Sequence, residues 1–261
     1  MRNGIPPTIN TLQATIYARS ATDALAGMKS KHNLKLRAFT LLELLLVIAI
    51  LAMLAALLLS TLAQSKAKSY RVTCTSQLRQ IGVAFALYLD DEVRFPDSRD
   101  LKAALGYRPW TAWPPSDPRG GWAASSLSNY LPSSMVWLCP SLAQRQLLDV
   151  IQCVQPTSLS NSNLMVGYWL WRFDRLDNPV SLDNFWNKTI DQSVLDLRTA
   201  NTPQAGLPSG PVDVELAVDS YFPATIPSVT PELRGRAAHR GGRNRLMLDF
   251  RVEYLRDARL N

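Results

Sequence analysis

Ala38-Phe39-Thr40-Leu41-Leu42-Glu43 runs into the segment from Leu44 to Ala63, LLLVIAILAMLAALLLSTLA, in which only Ser60 and Thr61 are polar. At about 1.5 Å per residue, these twenty residues make a helix roughly 30 Å long, the thickness of a bilayer's hydrocarbon core. A secretory signal peptide has an apolar core of only about 7–15 residues, so this run is too long for one. Four cations precede it: Lys29, Lys31, Lys35 and Arg37. One carboxylate, Glu43, sits at its N-terminal end. An ionisable group at that depth is costly without a partner, which marks Glu43 as functional. Charge alone does not orient the span, because Lys66, Lys68 and Arg71 flank its far end.

These residues resemble the class III signal of type IV pilins and type II secretion pseudopilins. That signal has a short basic leader, a cut before Phe, and Glu at the fifth position after the cut. Counted from Phe39, the fifth residue is Glu43. The resemblance implies that a prepilin peptidase cuts between Ala38 and Phe39 and methylates the new amino group of Phe39. Ala38 stands where the family usually has Gly. It also implies that Glu43 meets the Phe39 amine of a neighbouring pilin-like subunit, since a carboxylate and an ammonium that are each costly alone in lipid seek one another. The implied location is the inner membrane, in a single pass through its lipid. The N-terminus would be cytoplasmic and the remainder periplasmic or extracellular, with assembly into filaments. An ordinary signal anchor is the competing reading, and it leaves Glu43 unexplained.

The chain has 261 residues and a formal charge of +7. Residues 1–38 hold six cations and one acid, Asp23, so most of the excess lies in the leader and residues 39–261 carry about +2. Nucleic acid is therefore not an expected partner. Met28 opens a stretch of typical leader length, which makes it a candidate start of translation.

No Pro or Gly occurs between Phe39 and Ile81, so the helix is expected to continue beyond the apolar run to about residue 90. Cys74, Leu78, Ile81, Phe85 and Tyr88 are spaced 4, 3, 4 and 3 apart and form one apolar stripe. Val212, Val214, Leu216 and Val218 alternate with Asp213, Glu215, Ala217 and Asp219, and residues 246–254 alternate similarly. Period two predicts half-buried antiparallel strands, with 164–173 as a third candidate. The expected fold class is α+β: a long N-terminal helix packed on a small antiparallel sheet with long loops. The expected divisions are a leader (1–38), a transmembrane and assembly helix (39–63), an amphipathic helix (64–96) and an extracytoplasmic head (97–261). Residues 97–135 and 172–210, rich in Pro, Trp, Asn and Ser, read as loops.

Cys74-Thr-Ser-Gln-Leu-Arg-Gln-Ile-Gly82 is similar to a motif of large pseudopilin-like proteins. These also tend to carry Cys-Pro-Ser midway and His-x9-Asp-Gly near the C-terminus. Cys139-Pro140-Ser141 fits the first, and His239 and Asp249 have the spacing of the second, although Phe250 stands in place of Gly. Gly accepts the positive φ of a hairpin turn cheaply and Phe does not, so the turn is expected to be lost or moved.

Cys74, Cys139 and Cys153 allow three pairings, with one thiol left over. A disulfide is expected outside the membrane. A Cys74–Cys139 bridge would staple helix to loop, Cys139–Cys153 would close a local loop, and three free thiols are the remaining option. Cys-x-x-Cys is absent and only two His occur, so no zinc site is expected.

No catalytic constellation surrounds His239, which reads as a structural residue before a turn, and the chain is not expected to be an enzyme. Arg234, Arg236, Arg240, Arg243 and Arg245 read as a solvated face, with phosphate or an acidic partner as the alternative. No cofactor is implied. Asp90, Asp91 and Glu92 could hold calcium, but their spacing is unlike an EF-hand. The seven Trp residues read as packing, with a sugar-stacking surface as the alternative. Two functions follow. The first is a prepilin-like structural subunit of a type II secretion pseudopilus or type IV pilus. The second is a membrane-anchored module that binds polysaccharide, DNA or an envelope partner.

Overall fold

The computed structural model describes residues 39–110, 112–160, 163–202 and 206–261. The leader, with Met28 and Ala38, lies outside the described residues. The first helix, α1, is Leu41–Glu92, 52 residues without a break. Its length follows from a sequence with no helix breaker before Gly82. It stops two residues beyond the expected position, where Val93 takes φ +64° and Phe95-Pro96 follows.

The chain divides into two compact units, one ending at Ala56 and the other Leu57–Asn261. In the first unit every described residue is exposed, including Leu44, Leu45, Ile48 and Leu51. Among the described residues α1 is the helix long and apolar enough to cross a membrane.

The second unit is mixed α and β. Strands β1 (Gln155–Pro156) and β2 (Met165–Val166) form a two-stranded ladder. Strands β3 (Tyr168–Trp169), β4 (Glu215–Asp219), β5 (Gly242–Met247) and β6 (Val252–Arg256) form an antiparallel sheet in that order. The helix stripe is buried as its spacing predicts: Cys74, Leu78, Ile81 and Phe85 have no exposed surface, and Tyr88 packs partly buried at the margin. It docks on the sheet through named contacts. Thr75 Oγ1 donates to Asn244 Oδ1 at 3.1 Å, and Tyr168 Oη donates to Gln77 Oε1 at 2.8 Å. Gly82 permits this approach, because a Cβ there would lie 2.8 Å from Leu246 Cδ1 and 3.4 Å from the Phe250 carbonyl oxygen.

Four expectations about strands need correction. Residues 246–254 are not one strand. The chain reverses between β5 and β6, with Arg245 opposite Glu253 and Leu246 opposite Val252. The turn therefore stays where the motif puts it, and Phe250 itself adopts φ +66° while its ring packs against the core. The second correction concerns residues 211–213, which form a 3₁₀ turn so that the strand begins at Glu215. The third concerns exposure: β4 is buried on both faces from Leu216 to Asp219, because it is an inner strand with further chain packed over both sides. The 164–173 candidate splits into β2, β3 and a 3₁₀ turn at Trp171–Phe173.

The expected loops contain helices α2 (Arg99–Ala104), α3 (Gly121–Ser126) and α5 (Ile190–Ala200), and between the two loops lies α4 (Ser141–Gln144). α5 has local start and stop signals. Thr189 Oγ1 accepts the Gln192 N–H at its N-terminus, and Asn201 closes it at φ +43°. The core is aromatic. Phe173 stands at its centre, 4.8 Å from both Trp122 and Trp186 and 5.5 Å from Phe95, centroid to centroid. Trp122, Trp137, Trp169 and Trp186 are buried, which removes four of the seven Trp from any sugar-stacking surface.

Candidate functional site

Two places gather the residues singled out by the sequence. The first is the start of α1. Thr40 precedes the helix, and its backbone N–H and its hydroxyl both donate to Glu43 Oε2 at 2.9 Å. In return, the Glu43 N–H donates to Thr40 Oγ1 at 3.1 Å. This is a reciprocal capping box, and the carboxylate lies where the helix dipole favours negative charge. The Thr-x-x-Glu pattern was visible in the sequence, but the weight given to Glu43 as an assembly residue hid it. Phe39 is exposed beside this cap. Glu43 Oε1 makes no hydrogen bond among the described residues, so one oxygen is free to receive an ammonium group.

The second place is buried in the second unit, where α1, the Cys-Pro-Ser segment, β4 and the segment before β5 meet. Cys74 and Cys139 form a disulfide with Cα atoms 5.4 Å apart. Cys153 is a buried free thiol that burial pushes up to about 12, too high for it to act as a nucleophile at neutral pH. His239 Nε2 lies 3.5 Å from Cys139 Sγ and 3.4 Å from Asp219 Oδ2, while its Nδ1 lies 3.3 Å from Ser141 Oγ. A neutral imidazole satisfies this network: Nε2–H is shared between Asp219 and the sulfur, and Ser141 donates to Nδ1. Burial holds His239 below its ordinary value, Asp219 opposes that, and the nearby Arg71 and Arg145 reinforce it. Burial raises Asp219 against the pull of His239 and of the Asn244 hydrogen bonds.

The sequence singled out His239 and Asp249 by their motif spacing, but the acid beside His239 is a different one. Asp249 sits in the β5–β6 turn, where it accepts the Arg251 N–H, and Asp219 is the carboxylate beside the imidazole. Strand alternation assigned Asp219 to the solvent side, so no sequence signal pointed to it. Its Oδ2 accepts the Asn244 N–H at 2.7 Å, while its buried Oδ1 has no partner.

The ligand atoms of Cys74, Cys139, Asp219 and His239 all lie within 4.8 Å of one another. With the two sulfurs bonded together, only the carboxylate and the imidazole remain as strong metal donors. Ser141, His239 and Asp219 are the residue types of a nucleophilic relay, but 3.3 and 3.4 Å are long for one. What the arrangement achieves is to fix the imidazole and tie helix, loop and sheet together.

Of the remaining candidates, Asp91 accepts a hydrogen bond from Tyr130 Oη at 2.7 Å, which gives this acid a role in joining α1 to a loop. Arg243 pairs with Asp257 at 2.9 Å, and Arg245 pairs with Glu215 at 2.8 Å. The two belong to an ion-pair network on the sheet instead of a solvated face.

Residues 35–59 match the family model of the prokaryotic N-terminal methylation motif. No curated protein and no solved structure matches the chain.

Proposed function

From its pilin-like N-terminus we propose that this chain is a prepilin-like structural subunit of a type II secretion pseudopilus or a type IV pilus. In this reading, a prepilin peptidase cuts between Ala38 and Phe39 and methylates the exposed amine. The helix then holds the protein in the inner membrane in a single pass, with its N-terminus cytoplasmic and its head periplasmic or extracellular. Subunits associate through residues 39–63, which are apolar on every side and suited to packing against identical helices. The observation that carries the reading is the methylation motif at residues 35–59, with Glu43 at the fifth position after the cut. The free Oε1 of Glu43 gives the pairing with a neighbour's Phe39 amine a chemical basis.

Intact mass and N-terminal sequencing of the membrane-extracted protein test the processing. The expected product starts at Phe39 and carries one methyl group, and a product starting elsewhere refutes the assignment. For assembly, Glu43→Val should leave membrane insertion intact and remove the protein from sheared filaments. Normal recovery of that variant in filaments would refute the pairing.

A further inference from the structure

Beside the His239 cluster, and wholly within the second unit, lies a cavity of about 330 Å³. Lys68, Arg71, Arg145 and Arg240 line it, Ser141 and His239 form its buried floor, and no acidic side chain lines it. None of the four cations has an Asp or Glu side chain at ion-pair distance among the described residues, although Arg243 and Arg245 on the sheet do. Two of the four are already positioned. The Arg71 guanidinium stacks 4.5 Å from the centre of the Tyr254 ring. Arg145 donates to the Ala237 carbonyl at 3.2 Å and to the main-chain oxygen of Asn261 at 3.0 Å. Lys68 and Arg240 are exposed, and their side chains make no hydrogen bond or ion pair among the described residues. The charge of Arg240 is felt across the space: Arg145 is held below its ordinary value by burial first, then by Arg240 and by Arg236. Like charges gathered without compensation are unfavourable, and an anion relieves them.

We propose that this cavity binds a phosphate group, either the headgroup of an anionic phospholipid or a soluble phosphate. The charge-assisted hydrogen bonds of guanidinium and ammonium groups suit tetrahedral phosphate oxygens. Arg71 and Arg145 are preorganised to receive them, while Lys68 and Arg240 close over the bound group. The lipid source has a positional argument that rests on the membrane-anchored reading. Lys68 follows Ala63, the end of the apolar run, by five residues on the same helix. That places it about 7.5 Å past the run, within the roughly 5–8 Å thick headgroup layer or at its margin. Basic side chains at this level attract anionic lipid.

The test uses the full chain in nanodiscs of phosphatidylcholine alone or with phosphatidylglycerol, each with and without inorganic pyrophosphate. The readouts are protection of Lys68 from an amine-reactive label, mapped by mass spectrometry, and the affinity for pyrophosphate. Protection by phosphatidylglycerol alone assigns the lipid source, and protection by pyrophosphate in phosphatidylcholine assigns the soluble one. Lys68→Gln with Arg240→Gln, two exposed side chains with no protein partner among the described residues, should weaken pyrophosphate binding about tenfold or more. In the lipid case, Arg240→Gln alone should abolish the protection of Lys68. No protection in either arm overturns the proposal, as does protection that sodium chloride of equal ionic strength reproduces. Binding unaffected by the substitutions also overturns it. None of these readouts depends on cleavage or filament formation, so failure here leaves the subunit reading standing, and the reverse holds for pyrophosphate binding.

Discussion

Leu44–Ala63 and Cys74–Phe85 are stretches of one uninterrupted helix, yet they solve opposite problems. The first is apolar on all sides and none of its side chains is buried in the chain's own fold. The second is apolar on one stripe, and that stripe is sealed: Cys74, Leu78, Ile81 and Phe85 have no exposed surface. A stripe is satisfied by one partner surface, here the sheet and its loops. An all-round apolar cylinder needs an apolar surrounding, either lipid or other helices. Secondary structure is the same in both, and what differs is the angular distribution of apolar side chains. That distribution alone separates the part that anchors or assembles from the part that folds.

If the two stretches answer to different environments, damage to one should leave the other untouched. The largest effect is expected from Cys74→Ser with Cys139→Ser. The bond closes a loop of 65 residues. Loop-closure entropy puts its contribution at about 4 kcal/mol. Denaturant unfolding followed by tryptophan fluorescence should register that loss, while carbonate-resistant membrane association stays unchanged. Loss of membrane association would break the comparison.

The converse substitution is Leu51→Arg, in the middle of the apolar run. A guanidinium at the centre of a spanning helix costs about 3 kcal/mol on insertion scales. The variant should shift from the membrane to the soluble or degraded fraction, with the unfolding midpoint of the second unit unaltered. A lower midpoint would show that the two stretches are energetically coupled.

A smaller effect concerns pH and belongs to the second unit alone. Asp257 is held down to about 2, first by the hydrogen bond from Arg259, with Arg243 also adding to the pull. Because its native value lies below the unfolded one, the carboxylate stabilises the fold fully above about pH 4. That contribution is lost as pH falls toward 2. The shift corresponds to about 2 kcal/mol at most, and nearer 1 once the solvent exposure of Arg259 is considered. Asp257→Asn should flatten this part of the stability profile, as measured by unfolding midpoints between pH 5 and pH 2. An unchanged slope would assign the acid sensitivity to other carboxylates.

The features legible in the sequence were those written as period or composition. The apolar run, the Cys74–Phe85 stripe and the α+β class follow from patterns that local sequence carries. The Asp219–His239 contact does not, because its members come from segments twenty residues apart and meet Cys74 and Cys139 only through folding. Asp219 was further disguised by strand alternation, which cannot tell an inner strand covered on both faces from an outer one. The β5–β6 turn was misread for a different reason. Phe250 pays the strain of φ +66° and is tolerated there because its ring packs against the core and its backbone meets Gly82. The two ends of α5 illustrate the opposite error, since Thr189 and Asn201 are caps readable from the sequence in a segment whose composition reads as loop.

The smallest effect separates two roles that Glu43 holds at once. Its carboxylate caps α1 through Thr40 and is also the group assigned to pair with a neighbour's amine. Thr40→Ala removes the hydroxyl half of the cap and costs about 1 kcal/mol, while the charge at position 43 remains. Glu43→Gln does the reverse, because Gln serves the same capping position as Glu but carries no charge. If charge pairing governs assembly, Thr40→Ala should only speed hydrogen exchange in the first turn, about fivefold, and filament incorporation should persist. Glu43→Gln should then leave exchange unchanged and abolish incorporation. If Thr40→Ala abolishes incorporation and Glu43→Gln preserves it, Glu43 matters as a helix cap, and the exposed apolar run assembles without an ionic contact.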